Sequence, residues 1–230
     1  MENIKSQLPQ SVRLVAVSKF HPASAVIEAA RAGQTIFGEN RVQEAAAKFD
    51  EVKKACPGVS LRIIGQLQRN KVKEAVRVAD AIDSVDRIEL LEEIEKQAAK
   101  QEKKIQALLE FHTGEESKSG FESEEVVFSA LERFSRGDFP HIEVRGFMTM
   151  APFSDDKELV RASFKKLKAL QEKCAAAFPA LNLQELSMGM SGDWKIAVEE
   201  GSTMVRIGTA IFGERDYGAA LGGSQGASQK

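Results

Sequence analysis

The feature that most constrains the fold is an alternation of short β-like runs with longer helical runs, from near the N-terminus to about residue 213. Such alternation predicts an α/β protein with parallel strands, because parallel neighbours must be joined by a long crossover connection. Eight strands are predicted, at residues 14–18, 35–38, 61–65, 81–85, 105–111, 142–147, 183–187 and 203–207. Eight such units match a (β/α)8 TIM barrel, whose usual ~250 residues are close to the length of this chain. A doubly wound open sheet is the alternative, since the number of strands is less certain than their presence.

The same pattern predicts a single barrel domain over residues 1–213. It is followed by a C-terminal extension at 214–230 that ends in a flexible tail, because glycine, serine and glutamine crowd the last residues. Amphipathic helices are predicted at 87–103 and 155–178, where apolar residues recur at helical spacing. Helices are also predicted at 2–9 and 193–200, and residues 113–122 are predicted to form a loop.

Charge and composition exclude several classes of protein. The formal net charge of −2 offers no overall basic surface for nucleic acid or an anionic membrane. The longest apolar run, at 174–178, is far shorter than the ~20 residues that a membrane-spanning helix needs. Cys56 and Cys174 lie outside any CxxC motif, and the histidines lack metal-site spacing. Aromatic residues that could form a dimer surface are few. We therefore expect a soluble, cytoplasmic, monomeric protein that binds no metal.

Polar residues gather where the predicted strands end. In a (β/α)8 barrel, reactive residues lie at the C-terminal ends of the strands. Lys19 follows the first strand, Asn40 follows the second, and Arg206 lies near the end of the eighth. This gathering predicts a binding site at the mouth of the barrel.

The loops after strands seven and eight carry the residues of a phosphate site, which is the usual place for one in this fold. Gly189, Ser191 and Gly192 precede one short helix, while Gly208 and Thr209 follow strand eight. Glycines let backbone N–H groups approach an anion closely, and hydroxyl side chains donate further hydrogen bonds. A lone glycine loop indicates only a turn, but two such loops in these positions favour a phosphate-bearing ligand.

Lys19 ends an apolar strand, so its side chain is expected to enter the barrel mouth. Partial desolvation and a neighbouring cation would favour the neutral amine, which is a nucleophile toward an aldehyde. On position alone, a solvated lysine at a strand end is the simpler interpretation. Beside a phosphate site, however, such a lysine matches what a pyridoxal phosphate Schiff base requires. A sugar-phosphate enzyme with a Schiff-base lysine is the alternative for the same residues.

Six segments of the chain resemble one known family. They are, in chain order, VAVSK at 15–19, FGEN at 37–40, IGQLQRNK at 64–71, GFMTMAP at 146–152, LSMGMSGDW at 186–194 and GSTMVRIGTAIFG at 201–213. These segments are similar to the pyridoxal 5′-phosphate homeostasis proteins, the YggS/PROSC family. The resemblance spans almost the whole chain apart from the tail, and the shared order of the motifs argues against chance agreement.

The resemblance implies a barrel of fold type III, like the N-terminal domain of alanine racemase, with pyridoxal 5′-phosphate (PLP) held as a Schiff base. It implies the following cofactor-binding residues: Lys19 for the Schiff base, Asn40 beside the ring, Arg206 facing the pyridine nitrogen, and Ser191, Gly192, Gly208 and Thr209 around the phosphate. Two departures from the family pattern, Arg62 and His112, are expected to lie in the walls of the pocket.

The implied function is intracellular PLP homeostasis, in which the protein holds the cofactor and supplies it to apo-enzymes. Arg206 argues against strong catalysis, because a guanidinium stays charged and cannot give a proton to the pyridine nitrogen. Racemisation also needs a second acid or base on the opposite face of the ring. In the related racemases an additional domain supplies it as a tyrosine, whereas here Tyr217 lies just before the tail and no further domain is expected. We expect no catalytic residues, and a weak amino-acid racemase is the alternative function.

Overall fold

The computed structural model describes residues 2–114 and 119–213. Its strands are β1 (Arg13–Val17), β2 (Ile36–Glu39), β3 (Ser60–Ile63), β4 (Ala81–Val85), β5 (Ile105–Glu110), β6 (Ile142–Met148), β7 (Glu185–Ser187) and β8 (Met204–Ile207). They pair in parallel and in sequential order, and β8 pairs with β1 to close a barrel. This closure confirms the predicted (β/α)8 fold and excludes the open sheet.

One short helix precedes β1, and the other helices follow the strands along the chain. The helices are α1 (Glu2–Lys5), α2 (Ala23–Arg31), α3 (Val42–Ala55), α4 (Val72–Val78), α5 (Ile88–Lys100), α6 (Glu124–Ser135), α7 (Lys157–Ala177), α8 (Trp194–Glu199) and α9 (Thr209–Phe212), with a 3-10 turn at Arg69–Lys71. Among these described helices, none is both long enough and apolar enough to cross a bilayer.

The observed boundaries lie close to those expected from the sequence. The segments predicted as helices at 87–103, 155–178 and 193–200 correspond to α5, α7 and α8. The first helix is shorter than predicted and ends at Lys5. The chain continues in turns, in which the N–H groups of Gln7 and Leu8 donate to carbonyl oxygens three residues back. The described part of the predicted loop at 113–122 contains no helix. The predicted C-terminal extension at 214–230, with Tyr217, lies outside the described residues.

The core lies between the barrel and its helices, and α7 illustrates how the sequence builds it. Val160, Phe164 and Leu167 recur at helical spacing, so they fall on one face of α7 and are buried there. The strands that α7 covers are apolar on the facing side, as shown by the buried Phe147 and Leu186. The strand residues that face the helices are therefore apolar, whereas several that face the barrel interior are charged, among them Arg62 and Asp83.

A buried ionic cluster occupies the barrel interior away from the mouth. The Arg62 guanidinium lies 2.8 Å from the Asp83 carboxylate and 3.2 Å from that of Glu185. Glu185 is also 2.9 Å from Arg13, and these two residues begin β7 and β1. The cluster is therefore near the N-terminal ends of these strands. The expectation that Arg62 lies in a wall of the mouth pocket is wrong, because carboxylates from β4 and β7 hold it inside the barrel.

Candidate functional site

A cavity of about 170 Å³ opens at the C-terminal ends of the strands. Six of the seven predicted cofactor-binding residues line it, namely Lys19, Asn40, Ser191, Arg206, Gly208 and Thr209. The seventh, Gly192, lies next to Ser191 in the exposed loop after β7 and is not among the lining residues. The fold thus brings residues from both ends of the described chain to one cavity.

Strand pairing explains why these residues meet. β1 pairs with β2 on one side and with β8 on the other. Lys19, in the turn after β1, therefore lies between Asn40, which follows β2, and Gly208, which follows β8. Lys19 is half-buried. One wall is aromatic, because His21 stacks on Phe212 with ring centroids 4.9 Å apart.

Arg206 supplies a buried positive charge to the cavity. Its Nη1 donates hydrogen bonds to the carbonyl and hydroxyl oxygens of Ser187, at 2.7 and 2.8 Å. Its Nη2 donates to the carbonyl oxygen of Thr149 at 2.8 Å. Burial lowers the pKa of Arg206, while the nearby carboxylates of Asp83 and Glu110 act to raise it. Arginine remains charged in proteins at neutral pH. The cavity therefore contains a cation whose orientation is set by three hydrogen bonds.

The loop after β7 can exist in this form only with glycine at position 189. Gly189 has φ +98°, and a Cβ at this position would lie 2.6 Å from the Cβ of Ala197. The backbone N–H of Met190 donates to the Asp193 carboxylate at 2.5 Å. This hydrogen bond orders the loop that carries Ser191. Gly189 and Asp193 therefore determine the conformation of the loop, and Ser191 lines the cavity.

Two methionines supply soft apolar lining that the sequence did not distinguish from core packing. Met150 and Met190 line the cavity, whereas Met148 and Met188 are completely buried. Met148 and Met150 are two residues apart, as are Met188 and Met190, so alternation along a strand would place the residues of each pair on the same face. Met150 and Met190 instead lie farther into the loops that follow β6 and β7 and border the cavity. Ile64 also lines the cavity. An isoleucine at the end of a buried strand gives no sequence signal of this role.

His112 does not belong to this cavity. It lines a separate cavity of about 580 Å³, with Gln66, Asp86 and Phe121 among its neighbours there. The expectation that His112 forms a wall of the mouth pocket is wrong. The reason is its position after β5, from which its side chain faces α5 and the segment before α6, whereas the site lies around β1, β7 and β8.

Glu110 is a buried acid near the site that sequence reasoning missed. It is 2% exposed and accepts a hydrogen bond from the Ser119 hydroxyl at 3.0 Å. Burial raises its pKa to about 7, and Arg206 is close enough to oppose that rise. Its second carboxylate oxygen, Oε2, is buried without a hydrogen-bond partner. No sequence pattern marks a glutamate at the end of an apolar strand as buried.

Comparison with known proteins identifies the same family over nearly the whole chain. A family model described as the N-terminal domain of alanine racemase matches residues 1–216. A protein of Vibrio alginolyticus named pyridoxal phosphate homeostasis protein is 42% identical over 212 residues, which are 91% of this chain and 89% of that protein.

Solved structures agree with the fold. PipY of Synechococcus elongatus, solved with PLP bound, is 38% identical and superimposes with a TM-score of 0.85, covering 92% of this chain and 97% of PipY. An alanine racemase of Clostridium difficile is only 17% identical but has a TM-score of 0.72, covering 91% of this chain and 54% of the racemase. The similarity to the racemase concerns the barrel fold alone.

Proposed function

Because this chain belongs to the alanine racemase N-terminal domain family and, within it, to the pyridoxal phosphate homeostasis proteins, we propose that it binds PLP reversibly through Lys19 and keeps the cofactor available to other enzymes. The observation that carries the proposal is the convergence of a lysine, a buried guanidinium and two hydroxyls on one cavity. The proposed role is storage and supply, so no residue is assigned to catalysis.

The residues around the cavity fit the chemical groups of PLP. Ser191 and Thr209 would donate hydroxyl hydrogen bonds to the phosphate, together with backbone groups of Gly192 and Gly208. A Cβ at Gly208 would lie 3.0 Å from the carbonyl oxygen of Val17, so a larger residue would crowd the end of β1. Arg206 would face the pyridine nitrogen, and Asn40 would lie beside the ring.

The chemistry of the site favours reversible binding of the cofactor over catalysis with it. When bound, PLP supplies an aldehyde whose carbon bonds to the Lys19 nitrogen with loss of one water, and addition of water reverses the bond. Arg206 offers positive charge to the ring nitrogen but no transferable proton. The ring is then a poor electron sink, which disfavours most PLP-dependent reactions. Val17 and Ile64 provide apolar surface beside the polar groups.

Substitution of the proposed covalent residue tests the assignment. Lys19→Ala should abolish the Schiff-base absorption of the PLP-loaded protein and leave its unfolding transition unchanged, because Lys19 lies at the mouth and outside the core. Lys54→Ala, which removes an exposed lysine of α3, is the control and should leave the absorption intact. Unfolding of Lys19→Ala, or Schiff-base absorption equal to that of the unsubstituted protein, would contradict the assignment.

A second experiment separates a carrier from an enzyme. The PLP-loaded protein is mixed with an apo-enzyme that requires PLP, and recovery of that enzyme's activity is followed. In parallel, the protein is incubated with L-alanine and the D-isomer is measured. A carrier should reactivate the apo-enzyme without racemising alanine. Racemisation that depends on Lys19 would favour the weak racemase, and a sugar phosphate trapped on Lys19 by borohydride would favour the sugar-phosphate enzyme.

We also propose that the protein acts as a cytoplasmic monomer. Support for a reducing compartment comes from Cys56 and Cys174, which are both free thiols. Support for a monomer comes from the exposed large apolar side chains of the described residues, which lie on different elements: Phe20, Val126, Phe153, Leu159 and Met190. Sedimentation of the protein with and without PLP tests whether it is a monomer.

A further inference from the structure

Lys19 lies in a strained turn. The backbone N–H of His21 donates to the carbonyl oxygen of Ser18 at 3.1 Å, which closes a β-turn with Lys19 and Phe20 at its centre. Phe20 has φ +68°, a left-handed conformation that glycine adopts freely. For a residue with a Cβ this conformation is disfavoured, because the Cβ crowds the following carbonyl oxygen. Some interaction must therefore hold the turn in this form.

The side chain of Lys48 spans both ends of this turn. Its ammonium donates to the carbonyl oxygens of Ser18 and His21, at 2.7 and 2.9 Å. The third acceptor is the carboxylate of Glu39, at 2.7 Å. An ammonium has three donors, so each N–H of Lys48 has a partner. The side chain is 10% exposed, and water competes little for these hydrogen bonds.

The surrounding carboxylates complete the arrangement. Glu39 is fully buried and also accepts from the Ser18 hydroxyl at 2.5 Å. Burial raises the pKa of Glu39, and the ammonium of Lys48 counteracts this rise. Glu44 accepts the backbone N–H of Phe20 at 3.2 Å. Glu44 and Lys48 are four residues apart on α3 and therefore share one face of that helix.

We propose that Lys48, with Glu44, holds the turn at residues 18–21 so that the Lys19 side chain enters the cavity, which makes Lys48 a positioning residue for the bond to PLP. The inference rests on the proposed function, in which Lys19 is the covalent residue. Lys48 does not line the cavity. It would act on the bound cofactor indirectly, by holding the backbone of the turn that carries Lys19. Backbone strain at a functional site persists where its surroundings over-determine the conformation, and three elements, β1, β2 and α3, meet at this turn.

The same helix offers a matched control. Lys53, in the last turn of α3, donates to the carbonyl oxygen of Val78 and lies 2.8 Å from the Asp80 carboxylate. It thus joins α3 to a backbone carbonyl and a carboxylate, as Lys48 does. The segment that it contacts precedes β4, at the opposite end of the barrel from the cavity. Loss of Lys53 removes a similar interaction without acting on Lys19.

The test compares two ligands in two variants. Lys48→Met is combined with Glu39→Gln, because a buried carboxylate left without its cation would destabilise the fold. The ligands are PLP and pyridoxine 5′-phosphate, which has the ring and the phosphate but no aldehyde. We expect the double variant to bind PLP about tenfold more weakly, corresponding to about 1.4 kcal/mol. Its affinity for pyridoxine 5′-phosphate should stay the same, and Lys53→Met should change neither affinity.

Two results would overturn the inference while leaving the proposed function standing. One is equal weakening of both ligands, which would indicate a general structural role for Lys48. The other is unchanged PLP affinity in a double variant that still forms the bond at Lys19. If the unsubstituted protein forms no bond at Lys19, the proposed function and the inference fail together.

Substitutions at Phe20 provide an independent test that leaves the buried pair intact. Phe20→Asn should retain PLP affinity, because asparagine tolerates the left-handed conformation. Phe20→Val should weaken PLP binding more than binding of pyridoxine 5′-phosphate, since a β-branched residue strongly disfavours positive φ. Equal PLP affinity in these two variants would contradict a role for the strained turn.

Discussion

The carboxyl group of Glu110 makes the folded protein sensitive to pH. Burial raises its pKa to about 7 in the folded protein, whereas an unperturbed glutamate has a value of about 4.3. Between these values the folded chain binds more protons than the unfolded chain. The free energy of unfolding should therefore fall as pH rises through this window.

Glu110→Gln should remove this pH dependence. The variant should be more stable than the unsubstituted protein by on the order of 3 kcal/mol at pH 8, with little difference near pH 4. Urea unfolding at a series of pH values measures the difference. A constant offset between the two proteins across the whole range would show that Glu110 titrates as an ordinary exposed glutamate.

The two cysteines should differ in reactivity because their surroundings differ. Cys174 is buried on the inner face of α7, and this burial raises its pKa to about 12. Cys56 is partly exposed after α3. Since the thiolate is the reactive form, iodoacetamide should label Cys56 in the native protein and leave Cys174 unmodified. Labelling in urea is the control, and comparable native rates would contradict the packing of α7.

At the scale of single elements, the start of α7 depends on one aspartate. The Asp156 carboxylate accepts the backbone N–H groups of Glu158 and Leu159, at 2.9 and 3.3 Å. Asp156→Ala should lower the free energy of unfolding by about 1 kcal/mol, because the first turn loses its cap. Asp155→Ala is the neighbouring control and should change stability little. Equal effects of the two substitutions would show that the carboxylate acts through its charge alone.

Most elements could be predicted because their sequence patterns have a direct physical cause. Burial of the strands gives apolar runs such as 14–17, and α7 has a clear apolar face. The ends of the strands were harder to predict, because apolar residues continue past the last residue that pairs with a neighbouring strand. Ile64, for example, follows β3 but lines the cavity. Periodicity cannot distinguish such a residue from one more residue of the strand.

At the scale of the whole molecule, the barrel contains a buried ion cluster whose loss should be costly. Arg62→Met would leave Asp83 buried without its cation. We expect a loss of about 3–5 kcal/mol in the free energy of unfolding. The variant's remaining folded fraction should bind PLP as before, since Arg62 does not line the cavity.

A surface arginine provides the comparison for Arg62. Arg77 on α4 pairs with Glu74 and Asp50, and all three side chains are exposed. Arg77→Met should cost less than about 1 kcal/mol, because water screens such pairs. Similar losses in the two arginine variants, measured by chemical denaturation, would contradict the buried cluster.

The candidate site was predictable to the extent that it depends on strand order. Lys19, Asn40 and Gly208 follow neighbouring strands, so the barrel alone brings them together. The positions of Arg62 and His112 could not be predicted, because they depend on which carboxylates and cavities lie opposite them across the barrel. Contacts of that kind are absent from the local sequence.

The most direct test of the central claim is borohydride reduction of the PLP-loaded protein, followed by peptide mass mapping. Reduction fixes a Schiff base as a stable amine, and the mapped peptide then identifies the lysine. The account predicts a single phosphopyridoxyl adduct, on Lys19. Adducts scattered over surface lysines, with Lys19 unmodified, would contradict it.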